Sequence, residues 1–227
     1  MLGTYLLVFI GPGAIVVASL LLPPSSTVAL IFVAAVFGTT VGSVILLLGR
    51  RSGAHINPAI TVASLFAGAI KRELFIPYIL FQVAGGLFAG LSLLLVFRSF
   101  QSPASLGSTK LATSINPLEG VALEAAGTFL LATAALSASY FVKSPPRQAL
   151  LVGGTLFVLI MLIGPLTGAS FNPVRSLGPS VFSDYFGGQL IYLVGPILGA
   201  CTAGLAFSLV KKSYGRKSKK LDLVCVC

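Results

Sequence analysis

The feature that most constrains this chain is the length of its uncharged segments. No Asp, Glu, Lys or Arg occurs before Arg50. Water-soluble domains carry a charge on about a quarter of their residues, whereas only 9% of these 227 residues are charged and 56% are hydrophobic. Because the first 49 residues hold no ionic side chain, they cannot form the surface of a soluble domain. The chain is therefore predicted to lie in a lipid bilayer.

Six uncharged or nearly uncharged stretches are each long enough to cross about 30 Å of hydrocarbon as a helix. They comprise residues 2–22, 27–49, 74–97, 120–142, 148–166 and 189–210. Two shorter apolar stretches, 56–65 and 171–182, cannot span a membrane, and an Asn-Pro pair stands at the start of each. Short apolar segments at corresponding places in two halves are typical of half-helices that enter a membrane from opposite sides.

The two halves repeat one pattern. Residues 53–58 read Gly-Ala-His-Ile-Asn-Pro, and residues 168–173 read Gly-Ala-Ser-Phe-Asn-Pro. Gly38 precedes the first Asn by 19 residues, and Gly153 precedes the second Asn by 19. Small residues at matched places suit close helix crossings in lipid. The two glycines are therefore expected at such crossings.

Each copy holds three spans and one half-helix, and the third spans also correspond, with Tyr78 recurring as Tyr192. An odd number of crossings inverts the second copy relative to the first. The sequence thus predicts an all-α membrane protein with six transmembrane helices and two re-entrant half-helices in inverted repeats. The expected domain boundaries are one transmembrane domain over 1–210, with repeats at about 1–98 and 120–210, and a basic tail over 211–227.

Loop charge predicts the orientation. If the N-terminus is cytoplasmic, twelve of the fifteen Lys and Arg residues lie on the cytoplasmic side, and only Arg98, Lys110 and Arg175 do not. The positive-inside rule therefore places both termini in the cytoplasm. The net charge of +10 comes from these loops and the tail, without a basic groove interleaved with aromatic residues. Anionic lipid, and not nucleic acid, is the expected partner of the tail.

No constellation of catalytic or metal-ligating residues stands out. The chain has one His and five acidic residues, none of which forms a plausible acid/base pair with another. Of the three cysteines, Cys201 lies in an apolar span, and Cys225 and Cys227 lie at the C-terminus, so a disulfide framework is not expected. The sequence therefore predicts neither an enzyme nor a cofactor or metal site.

The two Asn-Pro pairs have a chemistry that suits a pore. Asn is a good helix N-cap, and Pro suits the first helical position. A third pair, Asn116-Pro117, lies in a polar connection and is predicted to be a plain cap. Half-helices beginning at Asn57 and Asn172 would present unpaired N–H groups and positive dipole ends inside the membrane. Non-helical backbone is tolerated there where it lines an aqueous cavity, and such a cavity favours a neutral solute with an acceptor oxygen over a cation.

Residues 52–59 (Ser-Gly-Ala-His-Ile-Asn-Pro-Ala) and 172–179 (Asn-Pro-Val-Arg-Ser-Leu-Gly-Pro) resemble the two signature boxes of the aquaporin (major intrinsic protein) family. The resemblance implies a plasma-membrane homotetramer with one pore per subunit, which passes water and small neutral solutes such as glycerol and excludes protons and ions. It assigns the pore centre to the box residues Asn57, Pro58, Ala59, Asn172, Pro173 and Val174. Val174 departs from the family, which usually has Ala there.

The same resemblance implies further pore residues. The narrow filter is assigned to Phe37, Ile160, Ala169 and Arg175. A line of carbonyl acceptors is assigned to Gly53, Ala54, His55, Gly168, Ala169 and Ser170. Glu124 is assigned to bracing a re-entrant loop. The filter has Ile160 where water channels have His, and it lacks the Trp, Gly and Phe of glycerol channels. It looks most like the filters of archaeal aquaporins. Without the His, the constriction is expected to be wider and more apolar than that of the strict water channels.

Three points stay open at this stage. One alternative is a glycerol-preferring or gas-permeable channel of the same family, and another is an inverted-repeat secondary transporter, for which Glu124 is the only ionisable residue within a span. The third concerns the start of the chain. The family has a bracing Glu in both repeats, and the counterpart of Glu124 falls one position before Met1, so the natural protein is expected to begin upstream with Glu at that place.

Overall fold

The computed structural model of the chain describes residues 1–23, 26–100, 103–183 and 185–215. Within these ranges the regular secondary structure is helical. The α-helices are α1 (Leu2–Leu21), α2 (Thr27–Ser52), α3 (Pro58–Phe66), α4 (Arg72–Phe97), α5 (Pro117–Phe141), α6 (Pro145–Thr167), α7 (Pro173–Val181) and α8 (Gln189–Gly215). Six of them, all but α3 and α7, are long and apolar enough to cross a membrane. The predicted fold class is thereby confirmed.

Helix ends differ from the predicted spans by a few residues, because the helices continue past the apolar stretch. The helix α2 runs through Arg50 and Arg51 to Ser52, and α8 continues to Gly215. Continuing the helix satisfies backbone groups that would otherwise need other partners at the membrane boundary. The rest of the basic tail, 216–227, with Cys225 and Cys227, lies outside the described residues.

The pair Asn116-Pro117 begins α5 as an ordinary cap, as its sequence context predicts. The side chain of Asn116 accepts the N–H of Glu119 at 3.0 Å, and the Glu119 carboxylate accepts the N–H of Asn116 at 2.9 Å. This reciprocal capping box satisfies two backbone donors at the start of the helix. The cap is exposed, and therefore takes no part in the buried centre of the protein.

The helices α3 and α7 are the predicted half-helices. Each has nine residues, a length of about 13 Å at 1.5 Å per residue, which is less than half of the hydrocarbon core. Each begins with Pro, and each is capped by the side chain of the preceding Asn. The helix α3 packs on α8 and α4, and α7 packs on α4, so the spans hold both half-helices from the side.

The exterior of this protein is apolar, unlike that of a soluble protein. Large apolar side chains cover the outside, and Leu47, Leu150 and Leu162 are among the most exposed. The buried residues include Gln82, Glu124 and Arg175. An apolar exterior is expected of a protein that contacts lipid, and ionisable or polar groups buried within the membrane mark functional positions.

Candidate functional site

The two box asparagines bind each other's loops. The Nδ2 atom of Asn57 donates to the carbonyl of Phe171 at 2.8 Å, and Nδ2 of Asn172 donates to the carbonyl of Ile56 at 3.1 Å. Phe171 and Ile56 are the residues immediately before the two asparagines. This reciprocal pair of hydrogen bonds brings the two half-helix N-termini together in the protein interior.

Each asparagine also caps its own helix. The Oδ1 atom of Asn57 accepts the N–H of Ala59 at 2.8 Å, and Oδ1 of Asn172 accepts the N–H groups of Val174 at 3.1 Å and Arg175 at 3.4 Å. A carboxamide has two N–H protons, and the loop carbonyl takes one of them. Each asparagine therefore keeps a second proton for another acceptor, and both side chains border the cavity described next.

A narrow internal space, the central cavity, has a volume of about 50 Å³. It is lined by Leu7, Phe37, Val41, Ile45, Ala54, Ile56, Asn57, Ile60, Leu131, Ala135, Val152, Leu156, Ala169, Ser170, Asn172 and Arg175. A single water needs at least about 10–15 Å³, so the space has room for only a few waters. Its wall is mostly apolar, and its polar groups come from the two loops and their half-helices.

Two wider spaces border the central cavity. The first, the His55 vestibule, measures about 440 Å³ and shares Ala54 and Ile56 with the central cavity. The second, the Lys110 vestibule, measures about 620 Å³ and shares Arg175 with it. Shared lining residues on both flanks place the narrow space between two wide ones, which is the arrangement of a pore with a constriction.

Of the four residues that the resemblance assigns to the filter, three line the central cavity and one lines the adjoining Lys110 vestibule. Phe37, Ala169 and Arg175 line that cavity, and Ile160 lines the adjoining Lys110 vestibule together with Arg175. The guanidinium carbon of Arg175 lies 5.0 Å from the ring centroid of Phe37, within the range of a cation–π contact. The structure thus places these four in two adjoining spaces that share Arg175, with an aromatic ring beside the cation.

Arg175 is almost fully buried, with 2% of its surface exposed. Its Nη1 donates to the carbonyl of Gly107 at 2.8 Å, and its Nε has no hydrogen-bond partner among the described residues. Gly107 follows Ser105 and Leu106, and all three have positive φ, at 73°, 47° and 55°. Such left-handed backbone costs on the order of 1 kcal/mol per non-glycine residue, and here it presents a carbonyl to the arginine.

Glu124 braces the loop of the second repeat. Its carboxylate accepts the Thr167 hydroxyl at 2.7 Å, the Ser170 N–H at 2.9 Å and the Phe171 N–H at 2.7 Å. The side chain is completely buried, and all three partners donate, which matches an ionised carboxylate. The resemblance assigns this bracing role to Glu124, and the three bonds have the geometry of that role.

The loop of the first repeat is held by neutral groups. Nε2 of Gln82 donates to the His55 carbonyl at 3.0 Å and to the Thr61 hydroxyl oxygen at 2.8 Å. The Thr61 hydroxyl donates to the Asn57 carbonyl at 3.1 Å and also lies 3.1 Å from Nδ1 of His55.

The second repeat has a matching hydroxyl. Ser176 stands four residues after Asn172, as Thr61 does after Asn57, and its Oγ lies 2.6 Å from Oγ of Ser170. It also accepts from Thr109 at 2.7 Å. In each repeat, therefore, the fourth residue after Asn ties the side chain two residues before Asn to a separate element of the fold.

Comparison with known proteins supplies the family. The sequence matches the family model described as Major intrinsic protein over residues 1–207. The chain belongs to the major intrinsic protein family. Probable aquaporin AqpM of Archaeoglobus fulgidus is 32% identical, over 92% of this chain and 94% of its own length. Aquaporin NIP1-2 of Oryza sativa subsp. japonica is also 32% identical, over 92% of this chain and 69% of its own length.

A solved structure supports the same architecture. The aquaglyceroporin from Plasmodium falciparum superposes with a TM-score of 0.77 at 20% identity, covering 92% of this chain and 91% of that one. This likeness establishes the fold. Family membership confirms the prediction of a passive membrane channel over an enzyme, and it decides against the secondary transporter.

For this major intrinsic protein, the predicted pore residues occupy several different places. Ala54 and Ser170 line the central cavity, His55 lines its vestibule, and Gly168 lines the Lys110 vestibule. Gly53 ends α2 with a φ of 67°. The carbonyl of His55 already accepts from an amide, so one of its two lone pairs is taken before any solute arrives.

Several residues that hold the pore were not predicted. Thr61 and Ser176 occupy corresponding positions in the two repeats. Extending the alignment of the two boxes to the fourth residue after each Asn would have found them. Gln82 is an amide inside an apolar helix, which is itself a signal of function or support. For Thr109 and Gly107 the sequence has no such mark, because both lie in the connection between the repeats, where Gly107 ends a short 3₁₀ helix (Pro103–Gly107).

Proposed function

We propose that this channel conducts water, admits small neutral solutes such as glycerol, and excludes protons and ions. The observation that carries the proposal is one narrow cavity whose mostly apolar wall includes the side chains of Asn57, Asn172 and Arg175. A solute with an acceptor oxygen suits those side chains. Aquaporins and an aquaglyceroporin among the similar proteins are consistent with both solutes.

The two asparagines supply a mechanism for keeping protons out. A water whose oxygen accepts from both free amide protons has both of its own hydrogens directed away from the asparagines. That water cannot accept a proton from a neighbour, so the hydrogen-bonded chain needed for proton transfer is interrupted. The N-terminal ends of α3 and α7 carry partial positive charge at the same place and oppose any cation.

Arg175 supplies a second barrier to cations. Its charge is buried, and its Nε has no hydrogen-bond partner among the described residues. A cation entering a space of about 50 Å³ loses most of its hydration shell and meets a like charge at low dielectric. A neutral solute avoids both costs. The proposed filter is therefore selective for charge first and for size second.

Glycerol is the second candidate solute, and the filter composition favours it. Phe37, Ile160 and Ala169 are apolar and line the same two spaces as Arg175. A polyol can place its carbon chain against the apolar side chains and its hydroxyl groups toward Arg175. Ile160 occupies the second filter position, where water channels have His, so no polar side chain narrows the pore there. We therefore infer that glycerol passes at a measurable rate beside water.

We further propose the setting in which the channel works. The domain over 1–210 forms one pore in each subunit of a homotetramer in the plasma membrane, with both termini and the basic tail 211–227 in the cytoplasm. The charge distribution supports this orientation, since twelve of fifteen cations lie on one side. Crosslinking in native membranes and protease protection of tagged termini test the assembly and the orientation separately.

The decisive experiment uses purified protein in liposomes. An osmotic step with stopped-flow light scattering should give water permeability well above that of empty liposomes, with a low activation energy. A glycerol gradient measures the second solute, and an internal pH dye under a potassium diffusion potential reports protons. Water flux no higher than that of empty liposomes contradicts the water-channel proposal, and a proton current comparable to the water flux contradicts the exclusion mechanism.

A further inference from the structure

A glycine of the first span leaves room for an aromatic ring that lines the pore. Gly11 lies in α1 and is buried. A Cβ on Gly11 would stand 2.8 Å from Cδ1 of Phe37 and closer still to Cε1 and Cζ of the same ring. Carbon atoms in contact lie about 3.5–4.0 Å apart. The edge of the Phe37 ring therefore occupies the place that a side chain at position 11 would take.

The same ring borders the space through which a solute must pass. Phe37 lines the central cavity, and its ring centroid lies 5.0 Å from the guanidinium carbon of Arg175. Protein interiors are close-packed, so the cavity is the free volume into which the ring can move. A displacement of the ring away from Gly11 is therefore expected to narrow the cavity beside Arg175.

The next residue of α1 supports the cation. Pro12 packs against Gly107, because a Cβ on Gly107 would stand 2.8 Å from Cα of Pro12. The carbonyl of Gly107 accepts from Nη1 of Arg175 at 2.8 Å. Two adjacent residues, Gly11 and Pro12, thus support the ring directly and the guanidinium through one intervening residue. Any change at position 11 acts where both groups are held.

The second repeat offers an internal comparison. The first spans of the two repeats share Gly-Thr pairs, at 3–4 and 127–128. This match aligns Gly11 with Ala135, and the matched glycines of the second spans, which follow Phe37 and Val152, align those two residues. Ala135 and Val152 both line the central cavity. The repeat with the smaller second-span side chain has a methyl group on its first span, and the repeat with the aromatic ring has none.

We propose that Gly11 is a positioning residue of the pore, which sets the ratio of glycerol to water permeability by leaving space for the Phe37 ring. Its missing side chain keeps the ring out of the cavity and the constriction beside Arg175 wide. The inference rests on the proposed function, since it concerns solute selection by the same pore. A purely structural role predicts a different result, because a side chain at position 11 would then lower stability and leave the ratio per channel unchanged.

The test begins with Gly11→Ala in liposomes, with channel number measured in each preparation. The ratio of glycerol to water permeability should fall by about threefold or more, because the methyl group displaces the ring into the cavity and slows the larger solute more. Gly13→Ala, on the same helix, is the control. A Cβ there would lie 3.5 Å from the nearest atom of Leu93, which is ordinary contact, so this variant should keep the wild-type ratio.

A double-mutant cycle with Phe37→Val connects the effect to the ring. Phe37→Val removes the ring and reproduces the pairing of Ala with Val in the second repeat. In that background Gly11→Ala should leave the permeability ratio of Phe37→Val unchanged. It should also lower the unfolding temperature less than it does in the wild-type background, because the clash with the ring is gone. Such non-additivity is the sign of two residues in contact.

The proposal is overturned if Gly11→Ala has the wild-type ratio, or if the ratio changes equally in both backgrounds. If Gly11→Ala alone does not fold, the double variant must fold and show the ratio of Phe37→Val, and its failure to fold also overturns the proposal. A wild-type protein without water flux contradicts the proposed function instead. The unfolding temperatures of the cycle then still test the contact, and an equal loss in both backgrounds contradicts it.

Discussion

Gly38 and Gly153 face each other where α2 crosses α6, and each lies against the other's backbone. A Cβ on Gly38 would stand 2.7 Å from the carbonyl oxygen of Gly153, and a Cβ on Gly153 would stand 2.4 Å from that of Gly38. No side chain other than hydrogen fits at these distances. The equal spacing of the two glycines from the two asparagines thus reflects a single contact, in which the two repeats pack against each other.

Gly153→Ala should destabilise the folded channel by about 1–3 kcal/mol, because the two helices must separate to admit the methyl group. The neighbouring Gly154 provides the control, since a Cβ there meets nothing within 4 Å. Thermal unfolding in detergent, followed by size-exclusion chromatography, measures both variants. Gly154→Ala should unfold at or slightly above the wild-type temperature. Equal stability of the two variants would contradict the close crossing.

Glu124→Gln should destabilise the loop of the second repeat and lower water flux. The glutamine has one acceptor oxygen for three donors, and its own N–H₂ group meets a backbone N–H. At least one buried donor is left without a partner, at a cost of about 1–3 kcal/mol. Glu119→Gln is the control, because glutamine can replace glutamate in the exposed capping box. The bracing role is wrong if both variants unfold at the same temperature.

Phe37→Ala should raise glycerol permeability more than water permeability. The ring lines the central cavity beside Arg175, and its removal widens the constriction by the volume of an aromatic side chain. Phe88→Ala, on the exposed face of α4, is the control for loss of a phenylalanine. Paired glycerol and water measurements in liposomes give the ratio. A ratio equal to that of the wild type would remove Phe37 from the constriction.

Ala169→Cys should make water flux sensitive to mercurials, while the wild type resists them at this site. A thiol at 169 lies in the central cavity, where a bound mercury atom leaves no room for water. Cys201, on α8, is partly buried and outside the residues that line that cavity. Introducing the change in a Cys201→Ser background separates the two thiols. If mercurials strongly inhibit the wild type but not the Cys201→Ser variant, the inhibition comes instead from the thiol of Cys201 on α8.

Much of the fold could be predicted because the membrane leaves few choices. Long apolar segments must be helices, since lipid offers no partner for an open backbone. The repeat at 53–58 and 168–173 then indicates paired half-helices, and the spacing from Gly38 and Gly153 indicates matched crossings. Arg175 stands out because a charge inside the membrane requires a cavity. These conclusions depend on residue type and spacing alone, which a sequence displays directly.

Only the tertiary structure decided what holds the pore. Gly107 and Thr109 lie in the connection between α4 and α5, yet one bonds Arg175 and the other bonds Ser176 across more than sixty residues. The two loops are braced differently, one by the carboxylate of Glu124 and the other by the amide of Gln82. Such contacts join positions far apart in the chain. Hydrogen bonds of this kind depend on distances and angles that are set only when the helices pack, so the local sequence does not predict them.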